Sequence, residues 1–318
     1  PSPLPSAPAP SPSPPPALET QIGTCGKASI PIDFSATSNP AVAMEWTDAS
    51  GTVYQGAATS PPNFIPAGAT DTTGGALPGG SVRFRNVGSL NGQLFDLLVT
   101  VPATQTVYSD SIAMAYVSPQ TSAARQALLF GHFACVSAAI QTAVCASGAS
   151  VDPVTAECSD GTTTTMSGAE FDMALVAAGT TAPMPPMERF YLAMYDVDGF
   201  AYEGLSAYEV SAVLGASSVG VSASSTLATG TFSPSGAPYV MATHTGNVYH
   251  DFNSHPSTPD SATSDAVATF EVAGASSFKM MLGGRSALTV FERPYCFAMV
   301  EPDLGVSCPP TPPPFSPS

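Results

Sequence analysis

Charge is what this 318-residue sequence has least of, and positive charge above all. Eight Lys and Arg stand against 24 Asp and Glu, charged residues make up 10% of the chain, and the net charge is −16. A soluble chain is usually about one quarter charged. A negative field of this size repels phosphate backbones, which excludes nucleic acid as the expected partner. Long apolar runs are missing too. No stretch reaches the roughly 18 apolar residues that a membrane-spanning helix needs, so no membrane span is expected. N-linked sequons are absent: none of Asn39, Asn63, Asn86, Asn91, Asn247 and Asn253 has Ser or Thr two positions on. Any sugar is therefore O-linked, on Ser, Thr or hydroxylated proline. The sequence has no CxxC pair or Cys/His spacing suited to zinc. It also lacks a G-x-S-x-G elbow, a phosphate-cradling glycine loop and an HExxH. These absences remove the common enzyme signatures, and a non-enzymatic protein is expected. The chain opens on Pro with no signal peptide, so it reads as a processed piece of a longer polypeptide.

Proline, by contrast, is abundant and concentrated at the ends. Nine of the first sixteen residues and six of the last ten are Pro, interleaved with Ser and Thr. Proline fixes φ and has no N–H to donate, so neither segment can enter a helix or a central strand. Polyproline II rises about 3.1 Å per residue, which allows rods of roughly 50 Å and 30 Å. Residues 1–18 and 306–318 read as these rods, with linkers as the plainer alternative. Pro3, Pro5, Pro8, Pro10, Pro12, Pro14, Pro15, Pro16, Pro309, Pro310, Pro312, Pro313, Pro314 and Pro317 are the candidate O-glycosylation positions.

Residues 19–305 form the globular part, long enough to bury roughly three quarters of the unfolded surface. A division into subdomains near 19–118 and 119–305 is one option. Six cysteines occur, Cys25, Cys135, Cys145, Cys158, Cys296 and Cys308. An even count in a secreted-looking composition points to three disulfides. Cys145 and Cys158 flank a turn-rich loop and make the most plausible local bridge. Cys25 and Cys308 lie just inside the rods. They are either joined to each other or bonded separately to Cys135 and Cys296.

The hydrophobic pattern has the period of strands. "SVRFRNVGSLNGQLFDLLVTV" contains two runs around an Asn91-Gly92 hairpin signal. "AEFDMALVAAG", "RFYLAMYDVDG", "YEVSAVL", "ATFEVAG" and "SSFKMMLGG" are further short runs bounded by Gly, Pro, Asp or Ser. The Ala-rich segment around Gly131 predicts a strand over 132–144, with at most a helical turn at 122–129. Trp46, the single tryptophan, reads as a core anchor. The predicted fold is an all-β antiparallel β-sandwich or jelly roll, a bead with polyproline II segments at both ends.

Over about residues 80–290, "RFRNVGSLNGQLFDLLVTV", "ERFYLAMYDVDG", "SAYEVSAV" and "GASSFKMMLGGRS" resemble a β-sandwich repeat of large bacterial and algal surface proteins. The Ser-Pro ends resemble hydroxyproline-rich extracellular glycoproteins of green algae, of the cell-wall, pherophorin-like and ciliary mastigoneme kind. The cysteine-rich pherophorin signatures are not recognisable. The resemblance implies an extracellular structural role, with glycans on hydroxyproline and copies of the chain or related glycoproteins as partners in a fibre.

Candidate sites are few. "YDVDGFAYEG" offers Asp196, Asp198 and Glu203, oxygen ligands of the kind calcium prefers, with Asp251 or Asn253 to complete the set. The same residues also read as a solvated acidic turn. His244, His250 and His255 share one Gly/Asn/Pro-rich loop, at irregular spacing that favours an exposed loop over a transition-metal site. Tyr202, Tyr208, Tyr239 and Tyr249 are candidates for a sugar-binding groove, or for strand packing. Three functions follow. They are a structural subunit of an extracellular glycoprotein fibre, a carbohydrate-binding or adhesive module, and, weakest, a secreted hydrolase on a proline stalk.

Overall fold

The computed structural model describes residues 81–100, 133–145, 147–162, 166–232, 235–245, 264–288 and 290–300, with the short stretches 21–22, 28–30, 32, 34, 43–47, 53–57, 102, 112–114, 117–118 and 302. Both proline-rich ends, the possible helical turn at 122–129, and His250, His255, Asp251, Asn253 and Tyr249 lie outside the described residues.

In chain order the first strands are β1 (Gln21–Ile22), β2 (Ala28–Ser29), β3 (Ala43–Thr47), β4 (Val53–Ala57), β5 (Ser81–Leu90) and β6 (Gln93–Thr100). Next come β7 (Ile112–Met114), β8 (Val117–Ser118), β9 (Ala134–Gln141), β10 (Met166–Ala177), β11 (Met187–Tyr195), β12 (Gly199–Tyr202) and β13 (Leu205–Leu214). The chain continues through β14 (Ala216–Val221), β15 (Ala228–Thr231), β16 (Pro238–Met241), β17 (Ala268–Ala275), β18 (Ser277–Ser286) and β19 (Val290–Ala298). An eleven-stranded sheet runs β15-β16-β13-β18-β10-β6-β5-β3-β4, with β12 beside β13 and β7 beside β10. A six-stranded sheet runs β14-β17-β11-β19-β9-β8. Among the described residues the strand ladders are antiparallel except for the short parallel contact of β7 with β10, and the isolated bridges Thr142–Ser286 and Gly199–Thr245 are parallel too. Strands from both sides of position 118 share each sheet. No helix among the described residues is long and apolar enough to cross a membrane.

Alternation explains why these segments stack as two layers. Phe95, Leu97 and Val99 of β6 and Phe278, Met280 and Leu282 of β18 are buried at every second position. Phe190, Leu192 and Met194 of β11 and Phe270 and Val272 of β17 do the same in the smaller sheet. Successive side chains of a strand point to opposite faces, so each set falls on one face. All of them belong to one core cluster between the sheets. Fully burying each such side chain stabilises by about 1.5–3 kcal/mol. Phe84 of the large sheet and Phe297 of the small one sit edge to face, with centroids 6.4 Å apart. Phe34 packs against both, at 5.5 and 5.8 Å. The Tyr295 hydroxyl crosses the same interior and donates to the Gly283 carbonyl at 2.7 Å.

The strands expected from sequence are present. Asn91 and Gly92, at φ 51 and 78, form the turn between β5 and β6. These positive values are what a two-residue turn of the hairpin-favoured type needs. The strand expected over 132–144 is β9, at 134–141. Trp46 lies in β3, opposite Tyr54 of β4 and Val82 of β5.

Candidate functional site

The region between β11 and β13 gathers the polar residues that the sandwich does not need for packing. β11 ends at Tyr195, and Asp196 takes a left-handed backbone, φ 61. That conformation is unfavourable for a residue with a Cβ, and Asp and Asn adopt it more often than most. The reversal aims the next carboxylate inward. Asp198 is 6% exposed and accepts from Nη2 of Arg293, on β19, at 2.9 Å. Nε of the same guanidinium donates to Glu209 of β13. Arg293 thus links a strand of one sheet to a strand of the other. Burial pushes the Glu209 carboxyl up from its ordinary 4.5 to about 8, with Asp198 and Asp196 adding to burial and Arg293 opposing it. The Arg293 guanidinium is raised in turn, chiefly by Glu209.

Gly199 follows, pressed against the 244–245 segment. A Cβ built on it would lie 2.3 Å from the His244 carbonyl oxygen, so only glycine fits. Beside it opens a cleft of about 220 Å³ whose wall includes Val197, Asp198, Leu227, His244 and Asp265. Asp265 is held by the hydroxyls of Ser222 and Ser224. Glu209 is not part of the cleft wall. Along β12 the Phe200 ring lies under the Arg293 guanidinium, 5.7 Å from its centre. Tyr202 stacks parallel to Phe200, with centroids 6.4 Å apart and planes 8° from one another. Asp198, Phe200 and Tyr202 therefore occupy alternate positions of one track. It leads from the cleft to a tyrosine that is 55% exposed.

The sequence-derived candidates are distributed as follows. Glu203, at φ 52, and Gly204 form the exposed tip of the β12–β13 hairpin. The four residues of β12 separate Glu203 from Asp198 by about 16 Å of extended chain. Among the described residues no group of three or more His, Cys, Asp or Glu is placed to hold a metal ion. Of the described candidate tyrosines, Tyr202 is the solvent-facing one. Tyr208 is buried and donates to the Val154 carbonyl at 3.0 Å. Tyr239 is half-buried and stacks on Phe232 at 4.6 Å. His244 is exposed at the cleft mouth.

Cys145 and Cys158 are bonded, with Cα atoms 5.6 Å apart. No cysteine among the described residues is free. Cys296 is disulfide-bonded, and the strand register sets Cys135 opposite it. Cys25 and Cys308 lie outside the described residues. The bonded loop packs on the end of the large sheet. Ser206 N–H donates to the Pro153 carbonyl at 2.8 Å, and Arg285 pairs with Glu157 at 3.0 Å. Sequence reasoning missed Glu209, Arg293, Asp265 and Phe200. For Glu209 and Arg293 the signal was a charge inside an apolar strand run, as in "YEVSAVL", and Asp265 and Phe200 carried none.

No family model and no curated protein matches the chain. The resemblance read from the sequence therefore stays a resemblance. Among solved structures, the N-terminal domain of the Streptococcus gordonii adhesin Sgo0707 is similar at 10% identity, with a TM-score of 0.41. The match covers 90% of this chain and 66% of that one. The adhesin domain of PrgB from Enterococcus faecalis is similar at 11% identity, with a TM-score of 0.32, over 69% of this chain and 63% of that one. The chain thus spans just under two thirds of each. At these scores the likeness supports no statement about function.

Proposed function

We propose that this chain is an extracellular adhesive module that binds a neutral carbohydrate along β12. The observation that carries the reading is the track of Asp198, Phe200 and Tyr202, which runs from a mainly apolar cleft, with Asp198, His244 and Asp265 in its wall, to an exposed aromatic face. An aromatic ring offers an apolar surface for the C–H face of a pyranose. Asp198, Asp265 and His244 offer hydrogen-bonding groups at the cleft wall for sugar hydroxyls. A net charge of −16 favours a neutral ligand over an acidic one. The Cys145–Cys158 bond fits an oxidising, extracellular compartment. Binding fits better than hydrolysis, because Glu209, the carboxyl raised toward neutrality, is 3% exposed and off the cleft wall.

The test is a neutral-glycan array on the oxidised protein, followed by titration of the best ligand by NMR. Tyr202→Ala should weaken binding by about tenfold or more, roughly 1.4 kcal/mol, and leave Tm unchanged. A protein that binds no glycan, or a Tyr202→Ala variant that binds like the parent, overturns the reading. The proline ends support a further role as O-glycosylated rods that string such modules into a fibre. Glycopeptide mass spectrometry should then find pentose or hexose on several prolines between Pro3 and Pro16 and between Pro309 and Pro317. Bare proline at all of them leaves plain linkers.

A further inference from the structure

Each sheet of the sandwich ends, on the same flank, in a strand with no further neighbour among the described residues. These are β14 on the six-stranded sheet and β15 on the eleven-stranded one. Between them runs an open groove of about 370 Å³, lined by Ser217, Ser218, Val219, Thr229, Gly230 and Thr231 among others. An edge strand presents a row of unpaired N–H and C=O groups, and proteins usually guard it with lysine, proline or inward charge. Neither edge here has such a guard. β14 reads ASSVGV and β15 reads ATGT. No Asp, Glu, Lys, Arg or His occurs anywhere between Glu209 and His244. Ala216, Val219 and Val221 pack against the main core, while Ser218 and Gly220 face outward. The strand is thus anchored by one face and bare along its edge and on the other.

We propose that β14 is a self-association edge. Two copies pair β14 against β14, antiparallel about a twofold axis, and their six-stranded sheets become one continuous sheet. The argument for a second copy, rather than another partner, is electrostatic. A chain of net charge −16 repels its own copies over most approaches. On the flank built from residues 210–243 the chain brings no charge of its own from that stretch to the contact. A twofold axis sets a strand against itself in antiparallel register, so the six residues of β14 are self-complementary in backbone hydrogen bonding. Side chains of the added strand that point inward enter the groove toward β15. This inference goes beyond glycan binding and does not depend on it, since β12 pairs with β13 and takes no part in the contact.

Analytical ultracentrifugation of the full oxidised chain over a dilution series tests it. The parent should be a dimer that dissociates on dilution. Gly220→Lys and Ser218→Lys should each weaken the dimer by about tenfold or more, while Gly220→Ala leaves it intact. The added Cβ at Gly220 has room, because its nearest atom is the Thr269 carbonyl oxygen at 4.0 Å. A parent that stays monomeric at every concentration overturns the proposal, even if it binds glycan. So does a dimer that both lysines leave unchanged, or a monomer that takes up some other extended polypeptide at β14. Should a lysine variant lower Tm, hydrogen exchange on the parent decides. Protection of the β14 amides that rises with concentration supports the edge contact, and protection independent of concentration overturns it. Tyr202→Ala should dimerise like the parent, which separates failure of this inference from failure of the glycan reading.

Discussion

Arg293 stands where the two sheets meet, and its carboxylate partners come from the β11–β12 turn and from β13. Removing Arg293 leaves two acidic groups in a buried place without their cation, so the cluster specifies how the sheets face each other more than it stabilises them. Glu209 makes the cluster sensitive to pH. Its carboxyl is held up at about 8 in the folded protein, chiefly by burial, against an ordinary 4.5. Between these values the folded state keeps a proton that the unfolded state has lost. The resulting stability is fully present below about pH 4.5 and is lost as pH rises through about 8. Glu209→Gln mimics the protonated carboxyl and does not titrate. From pH 5 to 9 the variant should therefore gain on the parent, by an amount on the order of a few kcal/mol. Urea unfolding at several pH values measures this, and parallel curves for the two proteins would contradict the assignment.

Among the elements, the β12 strand and the 145–158 loop each depend on one local constraint. At Gly199 an added methyl meets the backbone of His244 instead of a flexible side chain. Gly199→Ala should cost about 1–3 kcal/mol, because the strand or the 244–245 segment must move. It should also weaken glycan binding, since the cleft lies between those two pieces of chain. A Gly199→Ala variant with parental Tm and parental affinity would show that the contact yields freely. The disulfide loop is secured in several ways. Asp152 accepts from the Val154 and Thr155 amides, Tyr208 and Ser206 donate to its carbonyls, and Arg285 pairs with Glu157. Replacing both Cys145 and Cys158 by Ser should lower stability by about 3 kcal/mol, mainly through the unfolded chain. Because the loop keeps its other bonds, the double variant should retain its near-native circular dichroism. Loss of tertiary signal would show that the bond holds the loop in place.

For the whole molecule, the central fact is that strands far apart in sequence share one core. Phe34, Phe84 and Phe297 come from the early part of the chain, from β5 and from the last strand, and their rings meet edge to face. Phe84→Ala should cost about 3–5 kcal/mol and preserve a single cooperative transition, because both sheets lose the same contact. Two separate transitions in calorimetry would show that residues 81–100 unfold apart from the remainder. Such a topology, rich in pairings across long sequence distances, should also fold slowly.

Much of this protein could be read along the chain because the forces concerned are local. Short apolar runs bounded by turn residues placed β6, β11, β17 and β18, alternating where one face is buried, as in β17, and continuous where both are, as in β11. Asn91-Gly92 marked its hairpin because few other pairs adopt two left-handed residues in succession. Cys145 and Cys158 could be matched because only a short loop separates them. The lack of charge between Glu209 and His244 was equally visible, though its meaning was not. Only the folded chain lays that stretch along the free edges of both sheets. The same limit applies to Arg293 and Glu209, which are 84 positions apart. Strand order decides which buried charges meet, and strand order follows from how two whole layers pack, a property that no single segment carries. That is also why Glu203, close to Asp198 in sequence, does not join it in the fold. The strand between Asp198 and Glu203 is extended, and the carboxylate of Asp198 is turned to a guanidinium that arrives from the opposite sheet.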